Sequence, residues 1–465
     1  MHKSTLMYVA TQMQGFEGPA YLRLVRALAA GIDSGELRAG VELPSQRSLA
    51  EHLGIHFTTV TRAYTEAKRR GLISAQRGRG TVVSVDQTTA LPPTAASPTA
   101  MIDLASVWPP TLRIPFDLSA ALVSLGGEHG VSLFSERANR RDPDAVAPAI
   151  AWLQPRFSST LVNRVTASAG TRAALMALMP LVVGNGGTLL AESMVWPKLK
   201  TLAAMYDIRL HPIAMDEQGI VPTALATAVR ETGAKALYCV VNGQNPTNAV
   251  MSLQRRQEIA AVAMEHDLKI FEDDVYGELI EQPLPPLANL APRQGYYIAS
   301  LSKCLSPSLR VAYIVAPTVE KVRALDDLLR ATMLSPAPIE EALAMHTMRN
   351  KSAFRHIARV RSEARARSAI VAEIFREMRD RVRIGPLSAW LTLPESWKPA
   401  EFVEALRRRG IAILPSDVFM LSPAQAGNSV RIATGAARNQ EELRQALSVV
   451  LELLASSTVL TVVRT

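Results

Sequence analysis

The chain has 465 residues, 48% hydrophobic and 20% charged, so it is too long for a single core, which stops growing at about 250 to 300 residues, and too apolar for a disordered chain. Its two cysteines, Cys239 and Cys304, exclude a disulfide framework, and no run is long and apolar enough for a secretion signal or membrane span; a reducing, cytoplasmic setting is expected. The formal net charge of +9 suits an anionic partner, and residues 1–84 alone hold eleven Lys or Arg against six Asp or Glu.

In chain order, the first informative segment is 43–64, LPSQRSLAEHLGIHFTTVTRAY. A helical run over 45–53 stops at Gly54 and a second begins near Thr58, the spacing of two short helices around a tight glycine turn. In the second helix Val60, Ala63, Tyr64 and Ala67 share the inward face, leaving Thr58, Thr59, Thr61, Arg62 and Thr65 outward, where small polar side chains enter a major groove without steric conflict. Two alternating strands, 72–75 and 81–85, then flank Gln76-Arg77-Gly78-Arg79-Gly80. This predicts a hairpin whose tip arginines, Arg77 and Arg79, reach phosphates or a narrow minor groove.

Helix, helix-turn-helix and hairpin in this order resemble the GntR-type winged helix-turn-helix over residues 19–85, including its signature start over 35–45, within a DNA-binding domain expected over 1–85. The resemblance implies a double-stranded DNA operator as partner and places contacts on Arg47, Thr58, Thr59, Arg77 and Gly78. Phe57 stands where that family commonly has an arginine, so the operator preference of relatives does not transfer.

Composition changes at 86–100, DQTTALPPTAASPTA, a Pro- and Thr-rich stretch that reads as a linker over 86–101. Beyond it, apolar runs at 161–166, 188–191, 236–241, 268–271, 296–300 and 311–315 alternate with helix-period segments. That alternation predicts a buried, mostly parallel sheet clad by helices, within a domain over 102–465. Past about 330 the pattern turns to a long Arg-rich helix and shorter elements, a smaller α+β subdomain. The basic run 349–367 is either a solvated face or an extension of the DNA track.

Five constellations carry chemistry. Ser168-Ala169-Gly170-Thr171-Arg172 links a strand to a helix whose N-terminal N–H groups can cradle a phosphate. ESMVWP at 192–197 presents Trp196 for stacking on a ring, with core packing the alternative. NGQNPTN at 242–248 offers Asn245 as a hydrogen-bonding group. FEDDVY at 271–276 ends a strand on two adjacent carboxylates, which demand a cation. A pyridinium nitrogen against Asp273, with Tyr276 donating to a phenolic oxygen, meets that demand; a metal is the rival, but no His or Cys cluster accompanies it. SLSKCLSPSLR at 300–310 sets Lys303 between Ser300 and Arg310, as suits a Schiff base beside a phosphate site. Farther on, Arg431 offers a rigid fork for a carboxylate.

Together these segments resemble a fold-type I, aspartate-aminotransferase-like domain that binds pyridoxal 5′-phosphate (PLP). The resemblance implies Lys303 as Schiff-base lysine, Asp273 as pyridine partner and Asn245 and Tyr276 as phenolic-oxygen partners. It implies Gly170, Thr171, Arg172, Ser300 and Arg310 around the phosphate, Trp196 on the ring and Arg431 on a substrate or effector carboxylate. Asn248, Ser308 and Gly187 depart from the family pattern of Gly, Gly and Asp. The whole arrangement is similar to the MocR subfamily of GntR regulators. That implies a cytoplasmic homodimer that senses PLP or a small amino compound through aldimine chemistry at Lys303. The alternatives are an active aminotransferase carrying a DNA-binding module, and a scaffold that no longer holds PLP.

Overall fold

The computed structural model describes all residues except 1, 17, 34–35, 38–39, 70–71, 77–79, 84–100, 113–117, 130–145, 423–426 and 463–465. One folded unit lies within Met1–Pro98, and the other takes Thr99–Leu112 and Phe116–Thr465. No helix among the described residues is long and apolar enough to cross a membrane.

The first unit comprises α1 (His2–Gln14), α2 (Ala20–Asp33), α3 (Gln46–Leu53), α4 (Phe57–Arg69) and a hairpin of β1 (Ile73–Gln76) and β2 (Gly80–Val83). Ser45 caps α3, its Oγ accepting from the Ser48 N–H at 3.2 Å, and Gly54 ends it in the left-handed region at φ +63; only glycine turns there without strain. Val60, Ala63, Tyr64 and Ala67 are buried, as the helical period requires, and the Tyr64 hydroxyl donates to the Pro44 carbonyl at 2.7 Å, tying α4 to the entry of α3. Helix α1 precedes the stretch that carries the family resemblance, and its Val9 and Met13 complete the same core.

In the second unit β3 (Ile102–Asp103) is followed by β4 (Val165–Ser168), β5 (Thr188–Glu192), β6 (Arg209–Ile213), a small hairpin of β7 (Met215–Asp216) and β8 (Gly219–Ile220), β9 (Ala236–Cys239), β10 (Lys269–Asp274), β11 (Gly295–Ser300) and β12 (Ala312–Val315). Seven of these form one sheet, ordered β4-β12-β11-β10-β9-β5-β6. Five begin within one residue of the expected apolar runs, and β6 is not among those expected; of the six that are, one starts late. The exception is β4, because Leu161 to Arg164 close a turn through left-handed Asn163 (φ 60) and the strand starts only at Val165. β12 runs antiparallel to both its neighbours, β11 and β4, so β4 points the same way as β11, β10, β9 and β5. β6 is parallel to β5, so the carboxyl ends of six strands gather along one edge, where ligands bind in open α/β sheets; five of them, β4, β5, β9, β10 and β11, lead into the segments singled out in the sequence.

The smaller subdomain is built on β13 (Val382–Ile384), β14 (Ser388–Thr392), β16 (Leu414–Pro415) and β17 (Ser429–Ala433), with β15 (Ile411–Ala412) pairing instead with β3. The segment after the linker thus adds a strand to the subdomain expected from residues past 330. The Arg-rich helix is Ser352–Ile374, and several of its cations serve the fold. Arg367 is fully buried and donates to the carbonyls of Thr434, Gly435 and Ala437, Arg361 donates to the Glu278 carbonyl, and Arg365 pairs with Glu281.

Candidate functional site

The five strand ends carry the expected residues to one edge. After β4, Gly170 opens the helix Gly170–Leu178 at φ +82, with no heavy atom within 4 Å of where a Cβ would stand. No side chain caps that helix, and the Thr171 hydroxyl is buried without a hydrogen-bond partner among the described residues. An uncapped N-terminus beside an orphaned hydroxyl is a built anion cradle. Arg172 is exposed on the same turn and close enough to Lys303 to lower its basicity. After β5, Trp196 is half-buried at the head of the helix Pro197–Ala204 and packs against the sheet's core. After β11, the Ser300 hydroxyl lies 2.9 Å from that of Ser302, and Arg310 is exposed just before β12.

At the centre is β10, where Asp273 is 4% exposed. Its Oδ2 accepts from the Tyr238 hydroxyl at 2.8 Å, while its Oδ1 is buried with no partner among the described residues. Burial pushes this carboxyl up to about 7, an acid poised to respond to any cation placed against its open oxygen. Asp274, its neighbour, is fully served by Asn242, Tyr297 and Arg156. Against Asp274 the chain itself supplies a cation to this acidic pair, Arg156, which the sequence reading did not single out. Tyr276 is buried just beyond the strand.

Lys303 follows β11 in the loop before β12. Burial, then the nearby Arg431 and Arg172, pull its amine down to about 8, and its Nζ donates to the Val107 carbonyl at 2.5 Å beneath the Trp108 ring. Arg431 of β17 is 5% exposed and stacks on Phe419. It donates through Nη1 to Asn245 Oδ1 at 2.7 Å and through Nη2 to the Ala105 carbonyl, while Nε has no partner among the described residues. Burial lowers it to about 10. A buried guanidinium bonded only to neutral oxygens is costly until an anion arrives. Residues 105–108 thus touch both cations, a feature no sequence motif announced.

Two departures from the family pattern have physical causes. Asn248 is left-handed (φ 58), and its Nδ2 donates to the Arg383 and Ser388 carbonyls while its Oδ1 accepts from the Ser388 hydroxyl. It therefore anchors its loop to the smaller subdomain, which a glycine could not do. At Gly187 a Cβ would stand 2.6 Å from the Val183 carbonyl oxygen, so an aspartate does not fit this turn.

In the first unit, Arg47 and Thr58 are exposed and Thr59 is half-exposed. The Arg62 guanidinium lies 4.0 Å above the Tyr21 ring, braced against α2. Arg77, Gly78 and Arg79, the expected wing tip, fall outside the described residues.

Residues 143–450 match the family of aminotransferases of class I and II, and residues 20–83 match the bacterial regulatory proteins of the gntR family. The chain belongs to the class I and II aminotransferase family, carried behind a GntR reader in the MocR architecture of transcriptional regulators. Among its relatives, the uncharacterized HTH-type transcriptional regulator YdeF of Bacillus subtilis (strain 168) is 28% identical over 94% of this chain and 95% of its own length. The HTH-type transcriptional regulator TauR of Rhodobacter capsulatus is 26% identical over 90% of this chain and 93% of its own. Kynurenine aminotransferase of Pyrococcus horikoshii shares the fold at a TM-score of 0.70 and 19% identity, covering 78% of this chain and 91% of that one.

Proposed function

We propose that this chain is a homodimeric, cytoplasmic regulator that grips a double-stranded operator through its winged helix-turn-helix. Its second unit holds PLP and reads either PLP itself or a small amino compound. The observation that carries this reading is a set of buried polar atoms without partners among the described residues: Thr171 Oγ1 and Asp273 Oδ1 at one sheet edge and Arg431 Nε on β17 of the smaller subdomain. Such atoms are costly unless a polar ligand completes them.

PLP, when bound, supplies an aldehyde that condenses with amines and a pyridine ring that withdraws electrons. Lys303 would provide the amine, and its lowered basicity increases the neutral, nucleophilic fraction at neutral pH. Asp273 would hold the pyridinium proton, and Tyr276 and Asn245 the phenolic oxygen. Gly170, Thr171, Arg172, Ser300 and Arg310 would surround the phosphate, Trp196 would stack on the ring, and Arg431 would take the carboxylate of an amino effector.

The route to the reader begins at residues 105–108. Their carbonyls engage Lys303 and Arg431, the two groups that an amino acid would claim, and the chain runs back from them through the linker to the reader. An effector that competes for both cations loosens this strap, shifts the smaller subdomain and changes the spacing of the two readers. Turning such a switch from 1:99 to 99:1 needs about 10⁴-fold differential affinity.

The test is to record the absorption spectrum of the full-length protein while adding PLP and then amino compounds, and to repeat DNA binding with each responder. A visible band lost on borohydride reduction, with an effector-dependent change in DNA affinity, is expected. Responders that change the band without changing DNA binding overturn the regulatory link. Sustained turnover with an oxo acid, and no effect on DNA, would instead favour an aminotransferase carrying a DNA-binding module.

A further inference from the structure

Asp273 and Asp274 are neighbours on β10, and strand alternation sends their side chains to opposite faces of the sheet. Each meets a tyrosine from an adjacent strand: Tyr238 of β9 donates to Asp273 Oδ2 at 2.8 Å, and Tyr297 of β11 donates to Asp274 Oδ2 at 2.6 Å. The register explains both contacts. Phe271 pairs with Tyr238 and Glu272 with Tyr297, so each carboxylate stands one diagonal step from its tyrosine on the same face.

The two acids then diverge. Asp274 also accepts from Asn242 at 2.9 Å and from Arg156 at 3.3 Å, so both oxygens are occupied and a cation neutralises the charge. Asp273 receives only the Tyr238 hydroxyl, and its second oxygen is left open. A phenol differs from a guanidinium in the respect that matters for a ligand: it anchors a carboxylate without cancelling its charge.

We propose that Tyr238 is a positioning residue for the PLP site, fixing the plane of the Asp273 carboxylate and keeping it ionised so that its free oxygen meets the pyridinium nitrogen. This rests on the reading that Asp273 is the pyridine partner. The titratable groups that act on Asp273 are Tyr238, Lys303, Tyr276, Glu192, Cys239 and, from the opposite side of the strand, Asp274. Only Tyr238 and Lys303 favour its ionised form, whereas Asp274 opposes it. Burial holds Glu192 up to about 8 and raises Cys239 and Tyr276, so these three are neutral near pH 7. Because PLP engages the Lys303 amine, Tyr238 is the support that remains.

The experiment compares full-length wild type with Tyr238→Phe, both freed of cofactor, each titrated with PLP across the neutral range and followed by the visible band of the lysine-bound cofactor. Without the hydroxyl, Asp273 takes up its proton at higher pH. Affinity for PLP is therefore expected to fall about tenfold near neutrality, the worth of a hydrogen bond to a charged group. The deficit widens as pH falls and closes as pH rises. In an Asp273→Asn background, Tyr238→Phe should leave the pH profile unmoved, because the group it acts through is gone.

Circular dichroism of the cofactor-free forms checks folding. Should Tyr238→Phe fail to fold, 4-aminophenylalanine placed at 238, which keeps a neutral N–H donor at the reach of the hydroxyl, takes its place and must hold the wild-type midpoint. Wild-type affinity with an unshifted midpoint in Tyr238→Phe overturns the proposal, as does a moved midpoint with 4-aminophenylalanine at 238. A wild-type chain that gives no visible band with PLP overturns instead the reading on which the proposal rests.

Discussion

The two folded units present their candidate residues in opposite ways. In the reader, Arg47, Thr58 and Arg62 stand exposed on helices whose other faces build a small core. In the larger unit, Asp273, Tyr276 and Arg431 are buried, and Asp273 and Arg431, from strands far apart in the chain, each keep a polar atom without a partner among the described residues. A polyanion as long as DNA is met by exposed charge that remains hydrated, so the reader stores little strain. A small dianion with a reactive ring must be taken out of water, so its site carries buried polar groups whose cost is offset only when it is filled. Substitutions should therefore act all-or-none in the second unit and by small steps in the first.

The largest effect tests the buried end of that contrast. Lys303→Ala removes the amine, and the visible band obtained with PLP should vanish altogether while DNA binding without effector persists. Fluorescence anisotropy with operator DNA should then show no response to amino compounds; a normal response would break the link between the two units. Next in size, Asp273→Asn should weaken PLP binding by roughly 10- to 100-fold, the range for a charge-assisted hydrogen bond. In wild type the carboxyl sits at about 7, so its pyridinium contact is present above that pH and fades below it. Asp273→Asn should lose that component and keep only the rise with pH that comes from the Lys303 amine, as read by equilibrium titration. Arg431→Gln should cost carboxylate-bearing effectors roughly tenfold and leave amines without a carboxylate unchanged, which calorimetry against a matched pair of amines would resolve.

Much of this was legible in the sequence because the strands of a parallel sheet, buried on both faces, read as apolar runs, and because the groups we propose for PLP follow them at the strand ends. Thr171, Asn245, Asp273 and Lys303 each sit within six residues of such a run. What was not legible depends on pairing across the chain. Arg156 lies 118 residues from the Asp274 it neutralises, and Tyr238 meets Asp273 only through the register of β9 against β10. The strap at 105–108 acts through backbone carbonyls, which have no signature in side-chain pattern. Asn248 was expected to tolerate a left-handed turn, and does, but its three bonds to the smaller subdomain follow from tertiary proximity alone.

The smallest expected effect sharpens the exposed end of the contrast. Arg47 stands exposed on α3, and an exposed guanidinium that meets a phosphate contributes mainly by releasing a counterion. Arg47→Ala should therefore weaken binding to operator and to unrelated duplex alike, by roughly three- to tenfold at moderate salt, and lower the slope of log K against log salt by about one. Its thermal stability should match wild type, because no core contact is lost. If instead the loss is confined to operator DNA and the salt slope is unchanged, Arg47 reads a base edge. The reader would then owe part of its sequence preference to α3, and the absence of an arginine at Phe57 would be compensated one helix earlier.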